Sequence, residues 1–549
     1  MKIAVTGASG NVGTAVLRAL KQDDQVTEIV GVSRRVPSTS VEPYAGCEWH
    51  SIDVGAASRP QESVAALSEA FAGADCVIHL AWIIFPNHDR ELLRRVNVEG
   101  TRRVLDAAVA AGVKHVVVAS SIGAYSPDPA RAEVSSPSDN PPLRGEDFEA
   151  RGINGSHYSE DKGAVEAMLD EFEAAHPDIT VARLRPGLIF QSDAASAIKR
   201  FFLGSWVPGK LLDAGALPTL PLPKGVRAQA VHSDDIGQAY RLAAVTGASG
   251  AFNICADDVL GPQELADILD HGKFVELPPA LVRGAVAAAH ASGAIAADAG
   301  WVDMAMGVPM MDNSRAKDVL GWAPTRSAKD AVAEVLKAMS EGAGFDSPSL
   351  WAEDKAETAF AAIGGSVQDA LEQARTGSEI TERIDTGLLR HLLANHLAGG
   401  RTAVERLDMM TLNYQDTPVF PQIAEAARDI RADRDFLELL AESFGMGPKA
   451  YQEAAAWAGE KIARLKPNGR VTERSPMALL LEAELLRSAV VGKIGLWEVL
   501  RDNASDLGLN AAFFDTLVDS AQSQLDLLNE VHAHASATAL RTDAETYRS

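Results

Sequence analysis

The sequence predicts an α/β domain built on a doubly wound parallel sheet, followed by an all-α helical bundle. Three observations carry that expectation. Over residues 1–190 short apolar runs alternate with amphipathic helical patterns, as βαβ units do. A glycine-punctuated turn, Thr6-Gly7-Ala8-Ser9-Gly10-Asn11-Val12-Gly13, joins the first apolar run to the first helical one. Near Ser340–Ser349 the composition becomes small and polar, and beyond it the periodicity is helical almost throughout.

Taken in chain order, strands are expected at Lys2–Thr6, Val26–Ser33, Cys76–Ala81, Val113–Ser120 and Val181–Pro186, all rich in Val, Ile or Leu. Between them Val12–Lys21, Glu91–Ala111 and Ser159–Ala175 carry helical patterns, so right-handed crossovers should cover both faces of the sheet. Residues 190–345 are less regular and rich in proline (Pro208, Pro218, Pro221, Pro223), as suits loops that shape a substrate pocket. The expected division is a dinucleotide-binding domain over 1–345, its substrate part mainly 190–345, and a bundle over 350–549. Bundle helices are expected at Gly387–Thr411, Val419–Phe444, Pro448–Leu465, Pro476–Leu507 and Ala511–Ala535.

Composition excludes several function classes. The 549 residues carry a formal charge of −24 with no basic tail or stripe, so a nucleic-acid partner is not expected. Three widely spaced cysteines (Cys47, Cys76, Cys255) fit a reducing cytosol and provide neither a disulfide framework nor a Cys-based zinc site. The first residues run straight into a strand and a glycine turn, without the apolar core of a signal peptide. The most apolar later stretch, Ala280–Gly300, is interrupted by Arg283, His290 and Asp298, whereas a membrane span needs ~20 nearly unbroken apolar residues. A cytoplasmic protein with no membrane partner is expected.

The glycine turn sits where a dinucleotide fingerprint must sit, between strand and helix at the start of a βαβ unit. Gly7 permits the tight turn, Gly10 admits a pyrophosphate close to the backbone, and Gly13 lets helix and strand pack, while the helix N-terminus offers unpaired N–H groups to phosphate. This makes the first domain Rossmann-type. The second strand ends Val32-Ser33-Arg34-Arg35 without the acidic residue that binds the ribose 2′-hydroxyl of NAD, and arginine favours the 2′-phosphate of NADP. NADP is therefore the expected cofactor, with NAD open; the arginines also read as a solvated loop pair. Asp53 in Ser51-Ile52-Asp53-Val54 lies at a third strand end, suited to the adenine amino group or to capping a helix.

Tyr158 and Lys162 lie four residues apart on one helix face. A neighbouring ammonium favours the phenolate and brings a tyrosine toward the operating range of a general acid/base. By itself Tyr-x-x-x-Lys also describes an ordinary exposed pair. Ser120-Ser121, at a strand end, adds a hydroxyl for a substrate oxygen.

These motifs, in this order, resemble the extended short-chain dehydrogenase/reductases, the epimerase/dehydratase type. The matching residues are Gly7/Gly10/Gly13, Asp53, His79-Leu80-Ala81, Asn97-Val98-Glu99-Gly100-Thr101, Ser120–Tyr125, Tyr158/Lys162, Arg185-Pro186-Gly187, Val231–Ile236, Asp312–Ala316 and Leu320–Pro324, together covering about residues 1–340. The resemblance implies Tyr158 as acid/base, Lys162 as its partner and ribose ligand, Ser121 rather than Ser120 as the catalytic hydroxyl, and Asn97 in support, though Asn97 also reads as a helix cap. It implies cofactor contacts at Gly7, Ser9, Gly10, Asn11, Val12, Gly13, Arg34, Arg35, Asp53, Val54, Leu80, Ala81, Asn97, Tyr158, Lys162 and Pro186. His79 is expected in the wall of the cofactor site rather than as a base, and Asp234 and Asp235 as caps of the following helix.

Trp82-Ile83-Ile84-Phe85-Pro86 is strongly apolar where a sugar pocket would offer hydroxyl partners, which favours a small, fairly apolar carbonyl or alcohol substrate. A nucleotide-sugar epimerase or dehydratase with tightly held NAD is the second reading, and a non-catalytic dinucleotide sensor the third. For the bundle a ferritin-like di-iron site would draw on Glu405, Glu482, Glu484, His391, His396, His532 and His534. No Glu-x-x-His occurs after residue 350, so no metal is expected; the bundle's expected role is dimerisation, as a homodimer, or docking of a partner.

Overall fold

The computed structural model describes residues 1–34, 36–56, 60–84, 90–134, 136, 138–199, 219–268, 272–291, 298–345, 347, 349–350, 367–414, 417, 419–446 and 476–540. The chain divides into two compact units, Met1–Glu353 and Asp354–Ser549.

In the first unit seven strands form one parallel sheet: β1 (Lys2–Thr6), β2 (Glu28–Ser33), β3 (Glu48–Ser51), β4 (Cys76–His79), β5 (His115–Ala119), β6 (Thr180–Pro186) and β7 (Gly250–Ile254), in the order β7-β6-β5-β4-β1-β2-β3. The order reverses between β1 and β4, the switch point outside whose carboxyl ends doubly wound sheets bind ligands. Thr6 pairs with His79 there, and His79 with Val118. One face is covered by α2 (Gly100–Ala111) and α3 (His157–Ala175), burying Val104, Leu105 and Leu169. The other is covered by α1 (Asn11–Lys21) and α4 (Ser233–Thr246), with Val16, Leu17, Leu20, Ile236 and Tyr240 inside. Each such side chain contributes about 1.5–3 kcal/mol of apolar transfer.

The expected strands are present, with ends shifted by one or two residues. β7 falls in the stretch read as irregular, because Gly-Ala-Phe-Asn-Ile is short and carries a buried amide. Asn253 is satisfied by Tyr125 Oη (2.6 Å), Arg144 O (3.2 Å) and Asp312 O (3.0 Å). The cap of α4 is His232, whose Nδ1 accepts from Asp234 N at 3.1 Å. Asp235 instead accepts from Thr325 Oγ1 and from the amides of Thr325 and Arg326, tying the helix to a distant loop. The apolar stretch 280–300 contributes to two helices, Pro279–Ala291 and α5 (Ala299–Gly307).

The segment read as a linker is not free. Ser340 still belongs to the helix Ala328–Ser340, Ser196 Oγ donates to Gly342 O and Ala343 O (2.9 and 2.8 Å), and Phe345 packs edge-on against Tyr44. The phenylalanine among small residues is what composition underweighted.

Among its described residues the second unit holds four long helices, α6 (Thr386–Asn413), α7 (Phe420–Ser443), α8 (Pro476–Asp502) and α9 (Ala511–Thr538). Their packing buries Phe436, Trp497, Phe513 and Phe514 in one cluster and Leu407, Met410, Ile423, Leu528 and Val531 in another. Asp385 caps α6 by accepting from Gly387 N and Leu388 N. The expected helix Pro448–Leu465 lies outside the described residues. Glu482 is held by Tyr414 Oη (2.6 Å) and Arg406 (3.2 Å), and Glu484 by His532 (3.5 Å). Among the described residues no three His, Cys, Asp or Glu side chains gather as metal ligands, and no helix is long and apolar enough to cross a membrane.

Candidate active site

The turn after β1 is shaped by its glycines. Gly7 adopts φ +72°, and a Cβ there would lie 2.8 Å from Leu80 C and Ala81 N; one at Gly13 would lie 2.3 Å from Gly7 O. At Gly10 the nearest atom to an added Cβ is Gly7 O, at 3.4 Å, so the outer side of the turn is open to close approach. The sheet thus brings Gly7, Leu80 and Ala81 together. Ser9 is buried within the turn. The Asn11 side chain is engaged by Gln191 Nε2 (2.7 Å) and Ser233 Oγ (3.0 Å), and Val12 packs toward the core.

Arg34 follows β2, its carbonyl accepting from Ser51 Oγ (2.9 Å); Arg35 lies outside the described residues. Asp53 sits beyond β3 and accepts from Gly55 N (2.9 Å), capping its own turn. Val54 is buried against Gly100. His79 Nδ1 pairs with Thr6 Oγ1 (2.7 Å) and Nε2 with Thr101 Oγ1 (2.9 Å). Burial holds its pKa down at about 3, so it is a neutral structural pin.

Asn97 occupies a π-helical turn, Arg95–Glu99, just before α2; such bulges re-aim side chains. Its Oδ1 accepts from Ile83 N (2.8 Å) and its Nδ2 donates to Ile83 O (3.0 Å). The amide therefore clamps the loop that carries Trp82, rather than capping a helix.

The two serines after β5 diverge. Ser120 Oγ donates to Glu166 (2.5 Å), whereas Ser121 accepts from Gly123 N (3.0 Å) and draws the Tyr158 pKa downward. Ser121, Tyr158 and Lys162 are thus brought together. The ammonium of Lys162 donates to Ala119 O (2.7 Å), lies 3.4 Å from the Trp82 ring centre and 5.9 Å from that of Tyr158.

The expectation that Lys162 lowers the Tyr158 pKa is not met in this arrangement. Burial pushes the phenol up to about 12, against a smaller downward pull from the Ser121 hydroxyl. Burial also pulls the ammonium down to about 7, opposed by Glu166 and Asp161. Desolvation outweighs the charge effect because both groups sit among apolar atoms. Trp301 of α5 stacks on Tyr158 (5.4 Å, 29°), Trp82 meets it edge-on (6.0 Å, 76°), and Met304 Sδ and the Tyr158 ring both crowd Gly123. Trp301 and Met304 escaped the sequence reading; only Trp301's place in an apolar helical stretch hinted at them. Phe85 and Pro86 lie outside the described residues.

Behind the site, Glu166 is 1% exposed and accepts from Arg185 Nε (2.8 Å) and Nη2 (2.9 Å) and from Arg183 Nη1 (3.0 Å). Arg185 precedes Pro186, which ends β6 beside Ile254. Arg90 pairs bidentately with Asp161 (2.7 and 2.6 Å), fixing the far end of the Trp82 loop to the helix of Lys162.

Residues 3–255 match the family described as "NAD dependent epimerase/dehydratase family". Among curated proteins, an L-arabinose 1-dehydrogenase (NAD(P)(+)) of Haloferax volcanii is 29% identical over 221 residues, 38% of this chain and 78% of that one. A ceramide reductase of Caulobacter vibrioides is 28% identical over 271 residues, 49% of this chain and 66% of that one. A solved UDP-glucose 4-epimerase of Thermus thermophilus, in complex with NAD, aligns with 62% of this chain and 100% of its own at 18% identity and a TM-score of 0.44. Over residues 3–255 the first unit is thus similar to NAD-dependent epimerases and dehydratases, and the two curated relatives are named for dehydrogenase and reductase reactions.

Proposed function

We propose, from the match of residues 3–255 to the NAD dependent epimerase/dehydratase family, that the protein interconverts a small, fairly apolar carbonyl compound and its alcohol with NADP(H). The observation that carries this reading is the apolar enclosure of Tyr158 by Trp82, Trp301 and Met304. Among the described residues three buried guanidiniums are already engaged within the protein. Arg183 and Arg185 hold Glu166, and Arg227 donates to the carbonyls of Ser136, Val226 and Asp139. Both relatives above are named for redox reactions rather than epimerisation, which supports the same choice.

The turn Gly7–Gly13 fits a dinucleotide pyrophosphate: its glycines leave the backbone approachable, and α1 begins where the anion would lie. Trp82 Nε1, a buried donor with no partner, is a further polar atom at the Lys162 side of the site. When bound, the nicotinamide supplies hydride transfer. Ser121 orients the substrate oxygen, Tyr158 gives that oxygen its proton in the reducing direction, and the Lys162 ammonium holds the nicotinamide ribose. Screening the purified protein for NADPH consumption with aldehydes, ketones and nucleotide sugars tests the reading. Consumption with apolar aldehydes or ketones is expected; conversion of nucleotide sugars without net consumption overturns it.

Arg34 at the end of β2, with no carboxylate on that strand end, favours a 2′-phosphate. NADPH should bind more tightly than NADH, with the difference narrowing in Arg34→Ala/Arg35→Ala. Calorimetric titration giving equal or tighter NADH binding to the native chain reverses the preference.

The pH dependence has a definite sign. Lys162 is held at about 7, below its ordinary value, so it is charged below that pH and neutral above it. Turnover that needs the ammonium should fall as pH rises through about 7. A turnover profile flat from pH 6 to 9 would remove Lys162 from this role.

A further inference from the structure

The turn that carries Phe345, Ser347 and Leu350 closes on itself, Phe345 N donating to Leu350 O (2.7 Å) and Leu350 N to Ser347 O (3.1 Å). It lies beyond the last family-like motif, Leu320–Pro324, yet it reaches back to the glycine turn. Ser347 Oγ donates to Ser9 O at 2.6 Å, and both serines are only 4% exposed. Phe345 packs on Tyr44 (5.9 Å), and the Arg18 guanidinium lies over the Phe345 ring, 5.0 Å from its centre. Tyr44 Oη in turn meets Thr14 Oγ1 (2.8 Å), and Thr14 Oγ1 donates to Gly10 O (2.9 Å). Leu350 anchors the turn among Ala194 and Ala197.

We infer that this turn is an added clamp on the phosphate-binding loop, with Ser347 a positioning residue for the dinucleotide. The inference rests on the reading that Gly7–Gly13 holds the pyrophosphate. A carbonyl oxygen is the negative end of its peptide, so an anion site needs carbonyls turned away and amides turned in. Ser347 and Thr14 hold two successive carbonyls, Ser9 O and Gly10 O, by hydrogen bonds. Because the peptide unit is planar and trans, fixing Ser9 O also fixes Gly10 N–H, which donates to Gly7 O at 3.1 Å. The amides that open α1 follow directly.

The test is dinucleotide affinity of the full chain, read by fluorescence titration with NADH and with NADPH. Ser347→Ala should raise both dissociation constants about three- to tenfold, the scale of one buried hydrogen bond. Their ratio should stay unchanged, because both cofactors share the pyrophosphate. Ser347→Thr, which keeps the hydroxyl, should restore affinity to within about twofold, and melting temperatures should stay within about 3 °C. Unchanged affinity in Ser347→Ala, a lower melting temperature with unchanged affinity, or a loss for NADPH alone overturns the inference while leaving the site reading in place. A native chain that binds neither dinucleotide overturns both.

Discussion

Tyr158→Phe is expected to cut turnover at least ~10²-fold while leaving NADPH affinity within a few-fold, the usual scale for removal of a positioned acid/base. The substitution deletes one oxygen and keeps the ring, so stacking on Trp301 and the edge contact with Trp82 persist. What is lost is the hydroxyl and the proton it carries. Steady-state kinetics on whichever carbonyl the screen returns, with parallel cofactor titration, separates the two effects. Near-native turnover in the variant would dismiss Tyr158 as the proton donor, and a large affinity loss would place it in binding instead.

Glu166→Ala should cost the first unit about 3–5 kcal/mol, the largest stability effect expected from a single substitution here. Its carboxylate neutralises two buried guanidiniums and accepts from Ser120, and deleting one partner of a buried pair strands the other charges. Arg183 keeps Asp170 (2.7 Å) and Glu173; among the described residues Arg185 retains Tyr125 Oη and Glu146 O as polar contacts. Burial alone would raise the Glu166 pKa, yet Arg185, Ser120 and Arg183 hold it at about 2. That stabilisation is complete above the ordinary value of 4.5 and is lost as pH falls through about 2. Urea unfolding, followed through the transition that abolishes cofactor binding, measures the change. A midpoint shift worth less than about 0.5 kcal/mol would show that the arginines find other partners.

The parallel sheet was legible because its strands are buried on both faces and therefore read as continuous apolar runs. The helices of the second unit were legible from period and breakers: α6, α7 and α9 agree with Gly387–Thr411, Val419–Phe444 and Ala511–Ala535 to within about three residues at each end, whereas α8 begins at Pro476 as expected but stops at Asp502, short of Leu507. Glycine spacing and the Tyr158/Lys162 interval are local, so they appear in the sequence directly. Trp301 is not local: its stacking on Tyr158 joins residues 143 positions apart, and no period or spacing encodes that meeting. Electrostatic sign was likewise beyond reach. Four-residue spacing puts an ammonium near a phenol, but whether charge or desolvation dominates depends on apolar neighbours drawn from β4, β5 and α5. Asn97 shows a third kind of limit, since its amide spans both polar groups of Ile83 only because a π-turn aims it there.

Trp82 and Trp301 give the site its own optical reporter. Indole emission overlaps dihydronicotinamide absorption, so a reduced cofactor arriving beside Tyr158 would drain light from these two rings by energy transfer. Replacing either indole by phenylalanine would then dim the cofactor-sensitive part of the emission, sorting the signal by ring. Ligand arrival, ordinarily followed with an added dye or a coupled enzyme, becomes readable from the polypeptide itself, before any substrate has been found.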